Sequence, residues 1–272
     1  MYAFDYRRPA SLSETLAYLR EKPDAKPIAG GMSLVPLMRH RMADPAALVD
    51  LAAIADLKRI EASADGLLIG AMVNHFTVSQ SEAVKLCIPA IAQLAGGIGD
   101  PLVRNRGTIG GSLAHADPAA CYPSAILALD AVIETSARAI PADDFITGMF
   151  STALKPDEII TAVRFRRPDA AAYMKFINAS SRFSIVGVFL SRFGNGVRVG
   201  VTGAGQHAFR PRALEEALSA EFSPDAARRV AISPDGLISD INGSAEYRAH
   251  LIAELAARAV TECQAGRAGA IL

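Results

Sequence analysis

Two glycine pairs, Gly30-Gly31 and Gly110-Gly111, are the feature that most constrains the fold of this chain. Glycine has no Cβ atom, so successive backbone N–H groups in such a turn can form a concave nest that binds phosphate oxygens. Two nests would suit a diphosphate. On spacing alone, two tight turns between strands and helices explain the pairs equally well. Neither pair belongs to a P-loop or to a Rossmann fingerprint, because the further residues that those motifs need are absent.

The two pairs have different surroundings. Residues 26–29 run directly into the first pair, and the apolar residues from Leu34 to Met38 follow a helical pattern, so this pair lies at a junction. The second pair lies within residues 96–120, where glycines, Asp-Pro steps and arginines predict an ordered loop rather than regular structure. Loops of this length are usually functional or disordered, and the interleaved apolar residues disfavour disorder. We therefore expect residues 96–120 to be a binding loop.

The rest of the chain is predicted to mix helices and strands. Ser11 and Glu14 have the spacing of a capping box at the start of a helix. Further helices are predicted over residues 77–95, 212–221 and 244–263. Strands are predicted over residues 48–51, 57–61, 67–70, 126–135, 158–165, 171–177, 183–192 and 197–202. Glycine-containing turns join 57–61 to 67–70 and 183–192 to 197–202 as hairpins.

Length and composition limit the class of protein. A chain of 272 residues exceeds a typical single domain. No apolar run reaches the ~20 residues needed to cross a bilayer, and Met1 to Arg20 has no secretory pattern, so we expect a cytoplasmic protein. The 28 Lys and Arg residues balance the 28 Asp and Glu residues, which disfavours nucleic acid as a partner. The three scattered cysteines cannot frame a four-thiolate iron–sulfur or zinc site.

The stretches around the glycine pairs carry a resemblance to a known family. Residues 29–38 read AGGMSLVPLM, and residues 103–112 read VRNRGTIGGS. They closely resemble the two flavin motifs of the FAD-binding medium subunit of molybdenum hydroxylases. This family includes the medium subunit of aerobic carbon monoxide dehydrogenase and is related to the flavin domain of xanthine dehydrogenase. Further similarity lies at residues 116–120, 173–176, 185–188 and 243–248, so the resemblance covers essentially the whole chain.

The resemblance implies an α+β fold. The expected fold is a vanillyl-alcohol-oxidase-type FAD-binding lobe of two subdomains with FAD between them, followed by a small C-terminal α+β domain with an antiparallel sheet packed against helices. The expected domains are residues 1–167, which bind FAD, and residues 168–272, of the carbon monoxide dehydrogenase flavoprotein type. A change of composition near Arg166-Arg167-Pro168 independently predicts this boundary.

The resemblance also implies which residues contact the cofactor. The two loops would approach the FAD diphosphate, and the backbone of Ile160 and the side chain of Lys175 would lie near the flavin. Relatives usually have other residues at Met32 and Ser112, and frequently an Asp at Cys121. The full set carried over from the family is Ala29, Gly30, Gly31, Met32, Ser33, Leu34, Thr108, Ile109, Gly110, Gly111, Ser112, Cys121, Ile160 and Lys175.

By the same resemblance, the chain is expected to be the FAD-carrying subunit of an oxidoreductase complex. A large subunit with a molybdenum cofactor would hydroxylate the substrate, and a small subunit with two [2Fe–2S] clusters would relay the electrons to FAD. The FAD of this chain would then pass them to an external acceptor. A dimer of such heterotrimers is expected. The flavin ring supplies the chemistry, so we expect no catalytic acid or base and no metal site in this chain. Two alternatives stay open: a stand-alone flavin reductase of the same fold class, and an assembly subunit that has lost FAD.

Overall fold

The N-terminal part of the chain forms a three-stranded parallel sheet in the computed structural model, which describes all residues from 1 to 272. β3 (Ala47–Asp50) lies between β1 (Asp5–Arg7) and β2 (Ala25–Ile28). α1 (Leu12–Glu21) connects β1 to β2, and α2 (Leu34–Arg39) follows β2. Because the strands are parallel, the segments that follow all three meet at the same edge of the sheet. The first glycine pair lies at this edge.

The predicted capping box is present at the start of α1. The Ser11 hydroxyl accepts a hydrogen bond from the Glu14 N–H at 3.2 Å. The Glu14 carboxylate in turn accepts one from the Ala10 N–H at 3.0 Å. These contacts satisfy donors that the first turn of a helix otherwise leaves unpaired.

A second, five-stranded antiparallel sheet follows in the order β4-β5-β10-β6-β7. Its strands are β4 (Ile60–Ala62), β5 (Gly66–Gly70), β6 (Val132–Thr135), β7 (Ala139–Pro141) and β10 (Ile160–Arg166). The predicted hairpin of β4 and β5 is confirmed, although residues 55–58 form a 3-10 turn where part of the strand was expected. A small hairpin of β8 (Ile146–Gly148) and β9 (Ser151–Thr152) precedes β10.

Short helices cover this sheet. They are α3 (His75–Gln80), α4 (Glu82–Cys87), α5 (Pro89–Gly96), α6 (Pro101–Arg106), α7 (Ile109–His115), α8 (Tyr122–Ala128) and α9 (Ala142–Phe145). The helix predicted over residues 77–95 is therefore divided into three. Together with the sheet, these helices bury the largest hydrophobic cluster of the protein.

The prediction of a loop without regular structure over residues 96–120 is wrong, because α6 and α7 lie within it. The Asp100 side chain accepts a hydrogen bond from the Val103 N–H at 2.9 Å, and Pro101 is the first residue of α6. This Asp-Pro step is therefore a helix cap followed by proline at the first helical position, rather than a turn. Similarly, Thr108 caps α7.

The prediction of a strand over residues 126–135 is also wrong in its first half. Residues 122–128 form α8, and the strand begins at Val132. Every residue of α8 is buried. A helix that is apolar on all sides has no periodicity that distinguishes it from a buried strand.

The C-terminal part contains a four-stranded sheet in the order β13-β12-β11-β14. Its strands are β11 (Ala170–Ile177), β12 (Ser184–Phe193), β13 (Gly196–Thr202) and β14 (Gly269–Ile271), of which only β14 pairs in parallel. The predicted hairpin of β12 and β13 is confirmed. α10 (Arg212–Ala220), α11 (Pro224–Arg229) and α12 (Ala245–Gln264) complete this part, which has its own hydrophobic cluster. The α+β fold class is confirmed, and no helix is long and apolar enough to cross a membrane.

The other face of the C-terminal sheet packs against the N-terminal part. Tyr173 and Phe189 belong to the same hydrophobic cluster as α8. A Cβ atom on Gly200 would lie 2.0 Å from the Ser124 carbonyl oxygen, so glycine is required for this close approach. Ion pairs reinforce the contact, such as Arg198 Nη1 to an Asp130 oxygen at 2.8 Å. The two parts of the chain therefore share one of the hydrophobic clusters, and the domain boundary at residue 167 stays a prediction.

Candidate functional site

The first glycine loop, residues 29–33, leaves β2 at the edge of the parallel sheet. Gly31 has a φ of +73°, in the left-handed region that glycine adopts without strain. None of the backbone N–H groups of residues 29–33 donates a hydrogen bond within the protein. All five residues are partly or fully exposed. The loop is therefore an open row of backbone donors, as expected for a nest that binds an anion.

The second glycine loop, residues 108–112, is the capped first turn of α7, and its backbone donors after Thr108 are occupied. The N–H groups of residues 109–112 all donate hydrogen bonds within the protein. The acceptors, in chain order, are Val73 O at 3.2 Å, Ala71 O at 2.9 Å, Thr108 Oγ1 at 3.1 Å and Thr108 O at 3.0 Å. The expectation of a second open nest is wrong for these residues, because nearby carbonyls and the Thr108 cap use the donors.

The glycines of the second loop serve close packing. A Cβ atom on Gly110 would lie 2.6 Å from the Ala71 Cβ and 2.8 Å from the Ala71 carbonyl oxygen. Ser112 differs from its neighbours, because it is half-exposed and its hydroxyl makes no hydrogen bond in the protein. This hydroxyl is available to a ligand.

The two glycine loops are in contact with each other. A Cβ atom on Gly30 would lie 2.1 Å from the Arg106 carbonyl oxygen, just before the second loop. A Cβ atom on Gly111 would lie 3.3 Å from the Ala29 Cβ. The structure therefore brings together the loop residues that the sequence predicted as one site, and glycine at position 30 permits it.

Basic side chains lie close to the first loop. Arg8 follows β1 at the same sheet edge and is paired with Asp50 at 3.8 Å. Asp50 also accepts a hydrogen bond from the Tyr6 hydroxyl at 2.5 Å. Arg106 is exposed and forms no ion pair. The Arg8 guanidinium is therefore already paired with a carboxylate, whereas that of Arg106 is free to pair with an anion.

A buried histidine supports the second loop, and the sequence patterns did not indicate it. The His75 N–H donates a hydrogen bond to the Gly107 carbonyl at 2.9 Å, and its ring packs on Tyr122 at 5.4 Å. A Cβ atom on Gly107 would lie 2.6 Å from His75 Nε2. Burial lowers the pKa of His75 to about 4, with a further contribution from the charge of Arg104. His75 is therefore neutral at neutral pH.

The remaining predicted site residues lie inside the protein. Cys121 and Ile160 are buried in one hydrophobic cluster. Lys175 is only 1% exposed, and its ammonium group donates a hydrogen bond to the Gly97 carbonyl at 3.1 Å. None of the three forms a hydrogen bond with either glycine loop. Their contact with a cofactor stays a prediction.

The Tyr173 hydroxyl is a polar group that the sequence patterns also missed. It is fully buried and has no hydrogen-bond partner. Burial and the neighbouring Cys121 raise the pKa of Tyr173. Cys121 Sγ lies 3.8 Å from the Ser184 hydroxyl. An Asp at position 121, frequent in the family that the sequence resembles, would offer a stronger acceptor in this pocket than a thiol does.

Comparison with known proteins agrees with this geometry. Residues 2–168 match the sequence profile of the family described as the FAD binding domain in molybdopterin dehydrogenase. The medium subunit of nicotine 6-hydroxylase from Paenarthrobacter nicotinovorans is 38% identical, over 97% of this chain and 98% of the relative. The medium chain of carbon monoxide dehydrogenase from Hydrogenophaga pseudoflava is 33% identical, over 94% of this chain and 96% of the relative.

The fold is also similar to a solved structure. A chain of the reconstituted CO dehydrogenase from Oligotropha carboxidovorans superposes with a TM-score of 0.89 at 30% sequence identity, covering 97% of this chain and 99% of that chain. The profile covers more than half of this chain, and the relatives are similar over nearly all of it. This chain belongs to the family of FAD-binding domains of molybdopterin dehydrogenases.

Proposed function

We propose that this chain carries FAD in a molybdenum hydroxylase complex, receives electrons from a partner subunit with [2Fe–2S] clusters and passes them to an external acceptor. Similar chains are medium subunits of nicotine 6-hydroxylase and of carbon monoxide dehydrogenase, whose names imply further subunits. We also propose a dimer of heterotrimers with a large molybdenum-cofactor subunit. A cytoplasmic location stays a prediction.

The open row of N–H groups over residues 29–33 carries this proposal. The diphosphate of FAD is doubly charged, and backbone donors that are already held in place bind such an anion without further ordering. Arg106, whose backbone carbonyl meets Gly30, adds an unpaired positive charge to the second loop's approach to the first. The residues present therefore fit the diphosphate, and Ala29 to Leu34 are proposed to hold it.

The other predicted contacts have different proposed roles. Thr108 to Ser112 would line one side of the cofactor site, and the Ser112 hydroxyl would be the polar group there that is free to bind the cofactor. Ile160, Cys121 and Lys175 are proposed to lie near the flavin, where buried side chains exclude water. When bound, the flavin ring supplies the redox chemistry. The profile match that ends at residue 168 and the start of β11 at Ala170 support the proposed boundary at residue 167.

Ligand competition tests the diphosphate assignment. We expect ADP to compete with FAD for the purified chain, and riboflavin, which has no phosphate, to compete far less well. Gly31→Ala should weaken FAD binding by about tenfold, because an alanine at this φ distorts the row of donors. Gly236→Ala is the matched control, since Gly236 has a φ of +77° and nothing lies within 4 Å of the position that its added methyl group would take.

The outcomes separate the candidate functions. A wild-type chain that binds no FAD and releases no flavin on denaturation would be an assembly subunit that has lost the cofactor. Equal competition by riboflavin and ADP would contradict the role of the first loop. An effect of Gly236→Ala as large as that of Gly31→Ala would mean that general backbone strain, rather than the loop, weakens binding.

Anaerobic mixing tests the electron path. Adding a chemically reduced [2Fe–2S] partner subunit to the flavin-loaded chain should bleach the flavin absorbance. Bleaching by NADH combined with no electron transfer from the reduced partner would instead identify a stand-alone flavin reductase.

A further inference from the structure

Arg248, in the first turn of α12, is a buried arginine that the proposed function does not use. It is 3% exposed. One of its terminal nitrogens, Nη1, donates hydrogen bonds to the carbonyls of Ile185 at 2.7 Å and Gly203 at 2.8 Å. The other, Nη2, donates to the Asp240 carboxylate at 2.7 Å. One guanidinium group therefore holds the start of β12 and the end of β13 together.

Gly203 contacts both Arg248 and the N-terminal part of the chain. It has a φ of +81°, and a Cβ atom here would lie 2.5 Å from the Ser184 carbonyl oxygen, so the position requires glycine. The Gly203 N–H donates to the Pro118 carbonyl at 2.8 Å. The hydroxyl of the preceding Thr202 lies 2.8 Å from the Pro118 carbonyl oxygen and 2.6 Å from that of Ala120, and it donates its one proton to this pair of acceptors.

The segment that receives these contacts, residues 116–121, connects the second glycine loop to α8. Ala116 ends α7 in the left-handed conformation, with a φ of +50°. α7 has only seven residues, so Gly110 to Ser112 at its start lie within about two turns of its end. Hydrogen bonds thus connect Arg248 through Gly203 to Pro118, and from Pro118 the chain leads back through α7 to the second loop.

We propose that Arg248 is a positioning residue for the flavin site, which it holds in place through Gly203 and Thr202. This inference rests on the proposed function. Arginine suits the position because its planar group presents several N–H donors in a fixed fork, whereas a lysine presents one ammonium group on a flexible stem. A lysine at position 248 keeps the charge beside Asp240 but loses the fork across the two strands.

FAD titration of the full-length chain, well below its melting temperature, tests the proposal. Arg248→Lys should raise the dissociation constant for FAD by roughly three- to thirtyfold. The absorbance spectrum of the bound flavin should also shift, because its surroundings move. Arg258→Lys is the matched control: Arg258 lies on the same helix, pairs with Glu254 at 2.9 Å and is half-exposed. It should leave the FAD dissociation constant within about twofold of wild type.

Thr202→Val provides a second, independent break in the same series of contacts. It removes the hydroxyl that binds residues 118 and 120, and it should weaken FAD binding similarly. If both residues act through one path, the double variant loses less affinity than the two single losses combined. Should Arg248→Lys fail to fold, Thr202→Val alone still tests the path from β13 to residue 118.

The negative outcomes are distinct. An Arg248→Lys protein that melts at a lower temperature but binds FAD as wild type does, with an unchanged flavin spectrum, would show a purely structural role and overturn the proposal. Independent, fully additive losses would overturn the path through Thr202. Failure of the wild-type chain to bind FAD would overturn the proposed function itself.

Discussion

The two glycine loops have the same Gly-Gly pair but opposite hydrogen bonding. In the first loop, the N–H groups of residues 29–33 have no acceptor in the protein. In the second loop, the N–H groups of residues 109–112 are all used, two of them by the carbonyls of Ala71 and Val73. The same dipeptide can therefore present donors to a ligand or allow a helix to pack tightly against its neighbour.

Because their hydrogen bonding differs, the two loops have different roles. The first loop can bind charge directly, because its donors are free and exposed. The second loop shapes the site, because its donors are used and Gly110 lies against Ala71. Damage to the first loop should thus reduce FAD binding more than stability, and damage to the second should reduce stability first.

The largest expected effect concerns His75, which supports the second loop. Its pKa is about 4 in the folded protein and about 6.5 when unfolded, so the neutral form is favoured by folding. Above pH 6.5, His75 does not contribute to the pH dependence of the free energy of unfolding. As pH falls from about 6.5 to about 4, the unfolded chain binds a proton that the folded chain does not, and the free energy of unfolding falls by about 3 kcal/mol. Urea unfolding of the FAD-free chain across this range measures the loss.

A variant isolates the contribution of His75. His75→Gln should flatten the pH dependence between pH 6.5 and 5, where few carboxylates titrate. His250→Gln, at an exposed position of α12, should retain the wild-type slope. An unchanged slope in the His75 variant would show that another group is responsible and that the second loop does not depend on a neutral histidine.

Gly110→Ala is expected to have the next largest effect. The added methyl group would overlap Ala71 at 2.6 Å, and overpacking of this kind costs about 1–3 kcal/mol of unfolding free energy. Gly96→Ala is the matched control, because Gly96 also lies in a helix and its added methyl would meet Ser79 at an ordinary 3.7 Å. This control should be neutral or slightly stabilising, since alanine favours helix. A Gly110 variant as stable as wild type would contradict the packing role of the second loop.

Thr108→Val has the smallest expected effect on stability, but it tests the difference between the two loops most directly. It removes the cap on α7 and frees the Gly111 N–H, at a cost of about 1 kcal/mol of stability. Ser223→Ala, which removes the equivalent cap from α11, should cost a similar amount without changing FAD affinity. If Thr108→Val bound FAD more tightly than wild type, the second loop would be a latent nest and the contrast between the loops would fail.

Much of the fold could be predicted from local patterns. The capping box at Ser11 and the glycine turn between β12 and β13 depend on neighbouring residues, and both predictions are confirmed. The predictions of secondary structure were wrong where a helix cap resembles a turn or where a buried helix resembles a buried strand. Asp100-Pro101 has the composition of a turn but starts a helix, and α8 is buried on every side.

In the candidate site, too, some residues could be predicted from the sequence and others could not. Resemblance identified the residues of both glycine loops and the stretch that contains Tyr173, but it gave Tyr173 no role and did not indicate His75, since burial among distant segments makes both important. Arg248 likewise lies far along the chain from the loop that we propose it positions. Such residues are found only when the packing of separate elements is known.

Resemblance of the sequence motifs indicated the family, and local patterns were enough to indicate the tight turns at the glycine pairs and the helix that follows the first pair. Which of the two pairs is open was settled by the packing of distant segments. Whether an N–H group is free depends on the carbonyls that folding places beside it, and those of Ala71 and Val73 reach the second loop alone.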